Sequence, residues 1–104
     1  MSLDNNKISN KFKKGLELFK NKRFTEAEKL FNKIFKHKPD DVLINFFLGA
    51  AYFETRKFSL SQERLKKVIS IEKNHRDANF LLGMMSYNEN KFNDAKNHLE
   101  KIYN

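Results

Sequence analysis

The sequence has no cysteine, one proline and three glycines in 104 residues. Without cysteine there is no disulfide framework, no thiolate metal site and no thiol nucleophile. Few helix breakers together with 33% charged residues suit long helices better than a sheet with many turns. Strand-like alternation is scarce. The longest unbroken apolar run, FFLGAAYF at 46 to 53, is too short to span a bilayer. The opening MSLDNNKISN has no apolar stretch of signal-peptide length. The expectation is one soluble, cytoplasmic domain over residues 1 to 104, with no membrane span.

Negative charge is also in short supply, and unevenly so. Residues 1 to 41 carry eleven Lys/Arg against six Asp/Glu, residues 42 to 75 six against three, and residues 76 to 104 four against four. The net charge of +8 therefore fades toward the C-terminus. A basic N-terminal half attracts nucleic acid, an anionic membrane or an acidic partner. Lysines interspersed with polar residues at solvated helix positions account for it more simply.

What the sequence does have is repetition. NKRFTEAEKLF at 21 to 31 returns in outline as TRKFSLSQERL at 55 to 65 and ENKFNDAKNHL at 89 to 99. A spacing of 34 aligns Gly15, Gly49 and Gly83; Phe24, Phe58 and Phe92; and the small residues Ala27, Ser61 and Ala95. Large apolar columns follow at Phe31, Leu65 and Leu99, and at Ile34, Val68 and Ile102. Such a period marks an array of supersecondary units.

Each unit holds two stretches of helical periodicity around a short polar turn, which is a helical hairpin. The second helix is expected to begin near Thr25, Ser59 and Asn93, with Glu28 and Gln62 completing capping boxes for the first two. Glu26, Glu28, Asp40 and Asp41 read as first-turn acids that favour the helix dipole. A mid-helix glycine costs about 1 kcal/mol relative to alanine, so three of them imply close helix approach. The expected arrangement sets the glycines opposite Ala27, Ser61 and Ala95, with Phe24, Phe58 and Phe92 plugging the open end of each hairpin.

Gly and Ala twelve apart, an aromatic three before the Ala, large apolar residues four and seven after it, and Pro39 five beyond that resemble the tetratricopeptide repeat. The resemblance covers residues 8 to 102, with units at about 8–41, 42–75 and 76–104. It implies an all-α, right-handed superhelix (solenoid) of three antiparallel helix-turn-helix repeats, first helices lining the concave side. The sequence departs from the family pattern at Lys11, Asn45 and Asn79, where a bulky aromatic is usual, and at Lys14, Ser61 and Lys73. These departures are expected to weaken individual units.

On the first helices, Phe12, Leu16 and Phe19; Leu43, Phe46, Ala50 and Phe53; and Phe80, Met84 and Tyr87 form stripes at spacings of three and four. Phe47 and Leu81 border them. The resemblance places these twelve residues on the concave side, as an apolar peptide-binding groove. Family members that clamp chaperone C-termini use Lys, Asn and Arg, whereas this chain has Phe12, Leu16, Phe47, Asp77 and Leu81 at those places. The implied function is a non-enzymatic, chaperone-like adaptor holding an apolar or amphipathic protein segment.

Catalytic groups do not converge. His37, His75 and His98 read as solvent-exposed, without metal-ligand spacing, and no glycine-rich phosphate loop occurs. No cofactor and no metal are expected. Two other readings stay open: nucleic-acid binding through Lys7, Lys11, Lys13, Lys14, Lys20, Lys22 and Arg23 with interleaved Phe residues, and self-association as a homodimer through the ends of a short array. Phe80 and Met85 are the residues expected to be left uncovered at the C-terminal end.

Overall fold

The computed structural model describes residues 4 to 103; the outer ends of the expected domain, residues 1 to 3 and 104, lie outside the described residues. The described chain forms six helices: α1 (Asn5–Lys20), α2 (Phe24–Phe35), α3 (Val42–Glu54), α4 (Phe58–Ile71), α5 (Arg76–Asn88) and α6 (Phe92–Tyr103). Each packs on the next along the chain. The result measures 44 × 25 × 20 Å. That elongation follows from hairpins that bury their apolar faces only against neighbours.

The core is accordingly split. One buried cluster joins the first two units through Ala27, Phe31, Leu48 and Ala51. A second joins the last two through Leu65, Val68, Ala78, Leu82 and Met85. Met85 was expected to lack cover, but it lies on the side of α5 that meets α4 and is buried.

All three hairpin turns have one backbone geometry. Lys22, Arg56 and Asn90 have φ of 62°, 63° and 62°, and the next residue's N–H reaches back five positions, to Leu18, Tyr52 and Ser86 O, each at 2.8 Å. A left-handed residue closes a helix in this way. Asn tolerates that conformation, while Lys and Arg are strained there by about 1 kcal/mol or more.

The second helices begin one residue earlier than expected, at the phenylalanines. Neither Arg23 nor Lys57, the N-cap residues of α2 and α4, makes a side-chain cap bond. The capping boxes do not form, and the Glu and Gln side chains that would complete them reach neighbouring units instead. Glu28 is buried and pairs with Lys57 at 2.9 Å. Gln62 donates to Glu89 at 2.8 Å. Of the first-turn acids, Glu26 pairs with Arg23, Asp41 caps α3 by accepting from Ile44 N, and Asp40 pairs with Lys67.

The glycines do permit close approach, to the small column (a Cβ at Gly83 would lie 3.5 Å from Ala95 O) and most tightly to the large side chains just beyond it. A Cβ at Gly15 would lie 2.5 Å from Phe31 Cε1, one at Gly49 2.9 Å from Leu65 Cδ2, and one at Gly83 2.8 Å from Leu99 Cδ2. Each glycine is thus the seat of the large side chain four residues beyond the small one. The small residue lets the second helix close in alongside: Ser61 Oγ donates to Gly49 O at 2.8 Å. Ser61 therefore adds a bond where alanine would make none.

Asn45 and Asn79 likewise strengthen their units. Both are fully buried. Asn45 Nδ2 donates to Pro39 O and Asp41 O, both at 2.8 Å, and Asn79 Nδ2 donates to Lys73 O and His75 O at 3.1 and 2.9 Å. Each side-chain oxygen faces the second helix of its own unit, meeting Arg64 Nη1 and His98 Nδ1, each at 3.1 Å. Every buried polar side chain among the described residues is partnered. One amide thus ties down an incoming loop and a neighbouring helix, a task no aromatic ring performs.

Candidate functional site

The twelve expected groove residues divide into two groups. Phe12, Leu16, Phe19, Phe46, Phe47, Phe53 and Leu81 are half-buried, and Ala50 is buried. Only Leu43, Phe80, Met84 and Tyr87 are well exposed, at 55%, 47%, 38% and 61%. The expected continuous groove is therefore largely filled over the first two units.

Aromatic packing fills it. The Phe47 ring lies 5.7 Å from Phe12, 5.9 Å from Phe31 and 6.1 Å from Phe19, within the range of favourable aromatic pairing. Phe46 lies 5.1 Å from Phe47 and 5.0 Å from the His75 ring. Phe12 is thus covered by Phe47 of the following unit, and Phe46 by His75, the N-cap residue of the following unit's first helix. Phe80 has no following unit among the described residues, so it stays open.

The open stripe Phe80, Met84 and Tyr87 recurs at four and three residues along α5 and shares one helical face. At the hairpin turn it continues into Phe92, whose ring meets Tyr87 at 5.4 Å and 66°. The same edge-on pair occurs at Phe19 with Phe24 and at Phe53 with Phe58, so the recurrent phenylalanine does brace each turn. Exposure rises along the series, from half-buried Phe24 to exposed Phe58 and Phe92.

The stacking ends of the array are built differently. Where α3 buries Ile44, Leu48 and Ala51 against α2, the corresponding positions of α1 carry exposed Asn10, Lys14 and Glu17. These line a shallow polar cleft with Lys13 and Asn21. On α6, exposed Lys96 and Glu100 approach within 3.8 Å; Tyr103, the exception, is 85% exposed. The N-terminal end is polar, whereas at the C-terminal end Leu99 and Ile102 are only half-buried where Leu65 and Val68 are fully covered, and the inner face of α5 is apolar.

The histidines have structural roles. His75 Nδ1 accepts from Ala78 N at 3.1 Å, capping α5, which requires an unprotonated Nδ1. His98 is half-buried against Asn79, and burial, reinforced by Lys101, lowers its pKa from the usual value of 6.5. Neither was visible as structural in the sequence; His37 is exposed as expected. No group of three or more His, Asp or Glu among the described residues is arranged to hold a metal ion. At the turn end, burial and Glu28 raise the pKa of the Tyr52 phenol, while bonds from Lys91 and Gln62 lower that of Glu89.

No protein-family model matches the chain, and no curated protein matches it. Solved structures do. MamA RS-1 (ArsTM double mutant) superposes with a TM-score of 0.85 at 21% identity, over 92% of this chain and 54% of that one. A chain of the CopN-Scc3 complex gives 0.86 at 14%, over 97% and 59%. The first TPR of Spaghetti (RPAP3), bound to the HSP90 peptide SRMEEVD, gives 0.84 at 21%, over 96% and 79%. The chain has the tetratricopeptide-repeat fold. It spans less than two thirds of the first two chains. Against this TPR framework, the open stripe lies on the first helix of the third repeat, and the half-buried aromatics lie on the first helices of the other two.

Proposed function

We propose that the protein is a non-enzymatic adaptor that holds an apolar or amphipathic protein segment against the inner face of its third repeat. The observation that carries this is the contrast between the polar N-terminal end of the array and the exposed Phe80, Met84 and Tyr87 of the third repeat. An apolar stripe retained in an array that closes its other end with polar residues is a docking feature. Met84 adds an adaptable contact, and Tyr87 and Phe80 supply rigid anchors. The solved TPR of Spaghetti is bound to an HSP90 peptide. Phe12, Leu16, Phe47, Asp77 and Leu81 offer no cationic clamp for such a carboxylate end, so the partner here is read by apolar contact.

At the turns the nucleic-acid reading loses one of its cations, Arg23; its six lysines lie outside the ion pairs among the described residues. Arg23, Lys57 and Lys91, the cations that recur every 34 residues there, each pair with a carboxylate: Glu26 at 2.7 Å, Glu28 at 2.9 Å and Glu89 at 2.9 Å. The polar N-terminal end, with Asn10, Lys14 and Glu17 exposed, gives a homodimer by head-to-tail stacking little to bury on that side.

Selection of random displayed peptides on the protein tests the proposal. Enriched peptides should carry large apolar anchors and bind at least about tenfold more weakly to a Phe80→Ser/Tyr87→Ser variant of unchanged melting temperature. Affinity unchanged by that pair, or lost on raising salt alone, sinks it.

A further inference from the structure

A cleft of about 190 Å³ opens between the first turns of α1 and α3. Ile8, Phe12, Leu43 and Ile44 make its apolar wall, and Ser9, Lys38 and Asp41 stand at its edge. The wall is braced from behind, since the Phe12 ring rests 5.9 Å from Phe31 and 5.7 Å from Phe47. Drug-sized ligands occupy clefts of about 300 Å³ and upward. This one matches a single large side chain.

The charges around it lean positive. The first two turns of α1 and the segment 36–41 carry Lys7, Lys11, Lys36 and Lys38. Their carboxylates are all engaged within the fold: Asp4 accepts from Lys7 N, Asp41 from Ile44 N, and Asp40 pairs with Lys67. Among the described residues none of those four lysines has a carboxylate within ion-pair distance, and Lys38 stands directly at the cleft. Asp4 and Asp41 keep their charge while capping, and Asp41 shares the lining with Lys38. With Asp40 paired, four lysines stand against two carboxylates, and this excess of positive charge favours negative charge next to the inserted group.

We infer that this cleft is an anchor site for one large apolar side chain of a partner segment, with an Asp or Glu of that segment close by to meet Lys38. The inference rests on the groove reading and adds the partner's chemistry to it. The single cation reads one side-chain carboxylate beside the anchor.

Peptides selected from a random displayed library against the wild-type protein supply the probe. They should share a large apolar residue with an acid within a few positions. Ser9→Trp, which fills the cleft, should weaken them about tenfold, and Lys38→Glu about three- to tenfold. Peptides remade with Lys in place of the acid should recover on Lys38→Glu, which general damage to the fold would not produce. Selected peptides without an acid, or peptides indifferent to both substitutions but lost with Phe80→Ser/Tyr87→Ser, overturn the inference and leave the groove reading intact. Peptides indifferent to all of these substitutions overturn both.

Discussion

The inner faces of the first two repeats and of the third are built from the same kinds of residue, yet one is filled and the other open. Phe12 and Phe46 occupy the same place in their units as Phe80. The first is covered by Phe47 of the following unit and the second by His75, the N-cap residue of the following unit's first helix, and Phe80 is 47% exposed. A side chain's role in a linear array thus depends on what stacks next to it as well as on its own column.

That contrast can be broken at its foundation. Gly49→Leu would place a side chain against Leu65 Cγ and Cδ2, both 2.9 Å from the position of a bare Cβ. The expected cost is about 3 kcal/mol or more, with loss of a single cooperative thermal transition monitored by helicity. A variant that melts as late and as sharply as the parent would remove the close-approach premise.

The filled and open halves should respond differently to truncation. Phe47→Ala removes a ring packed among four others and should cost about 3 kcal/mol in denaturant unfolding. Phe80→Ser should cost under about 1 kcal/mol while impairing binding. Half-buried Phe46 and Phe53 belong with Phe47, so replacing them perturbs folding and binding together; Phe80 and Tyr87 are the informative positions. Equal stability losses at 47 and 80 would erase the distinction.

A smaller effect of opposite sign is expected at the turns. Arg56→Gly relieves a non-glycine residue at φ 63° and should raise stability by up to about 1 kcal/mol. Asn90→Gly should change little, because asparagine already tolerates that conformation.

The smallest effect concerns pH, and it too separates the repeats. His98 has a lowered pKa in the fold because burial disfavours its charge. The unfolded chain then takes up the proton first as pH falls, so this contribution is complete above about 6.5 and declines below it until the folded pKa is passed. Arg64, the equivalent residue of the second repeat, keeps its charge throughout. His98→Arg should therefore flatten the melting-temperature profile between about pH 7 and 5 relative to the parent. Parallel profiles would show that His98 does not contribute.

Much of the architecture was legible in the sequence. The 34-residue period identified the hairpins, and the glycine and phenylalanine columns fell at contacts between helices. The candidate site was legible only in part. Leu43, Phe80, Met84 and Tyr87 could not be distinguished from Phe12, Phe46 or Phe47, since an aromatic stripe looks the same whether a neighbour covers it or not. Asn45 and Asn79 looked like defects because a pattern records the usual residue without saying what the position must do. Thr25 with Glu28 matched a capping box, yet Glu28 found a better partner in Lys57, 29 positions away.

The sequence by itself determined the fold class, the period and the positions where helices must touch, because these follow from local propensity and from spacing along one chain. Only the tertiary structure decided which apolar side chains remain in water and which buried amides and imidazoles are satisfied. Burial and hydrogen bonding depend on side chains from the adjoining unit, and no single repeat encodes its neighbour.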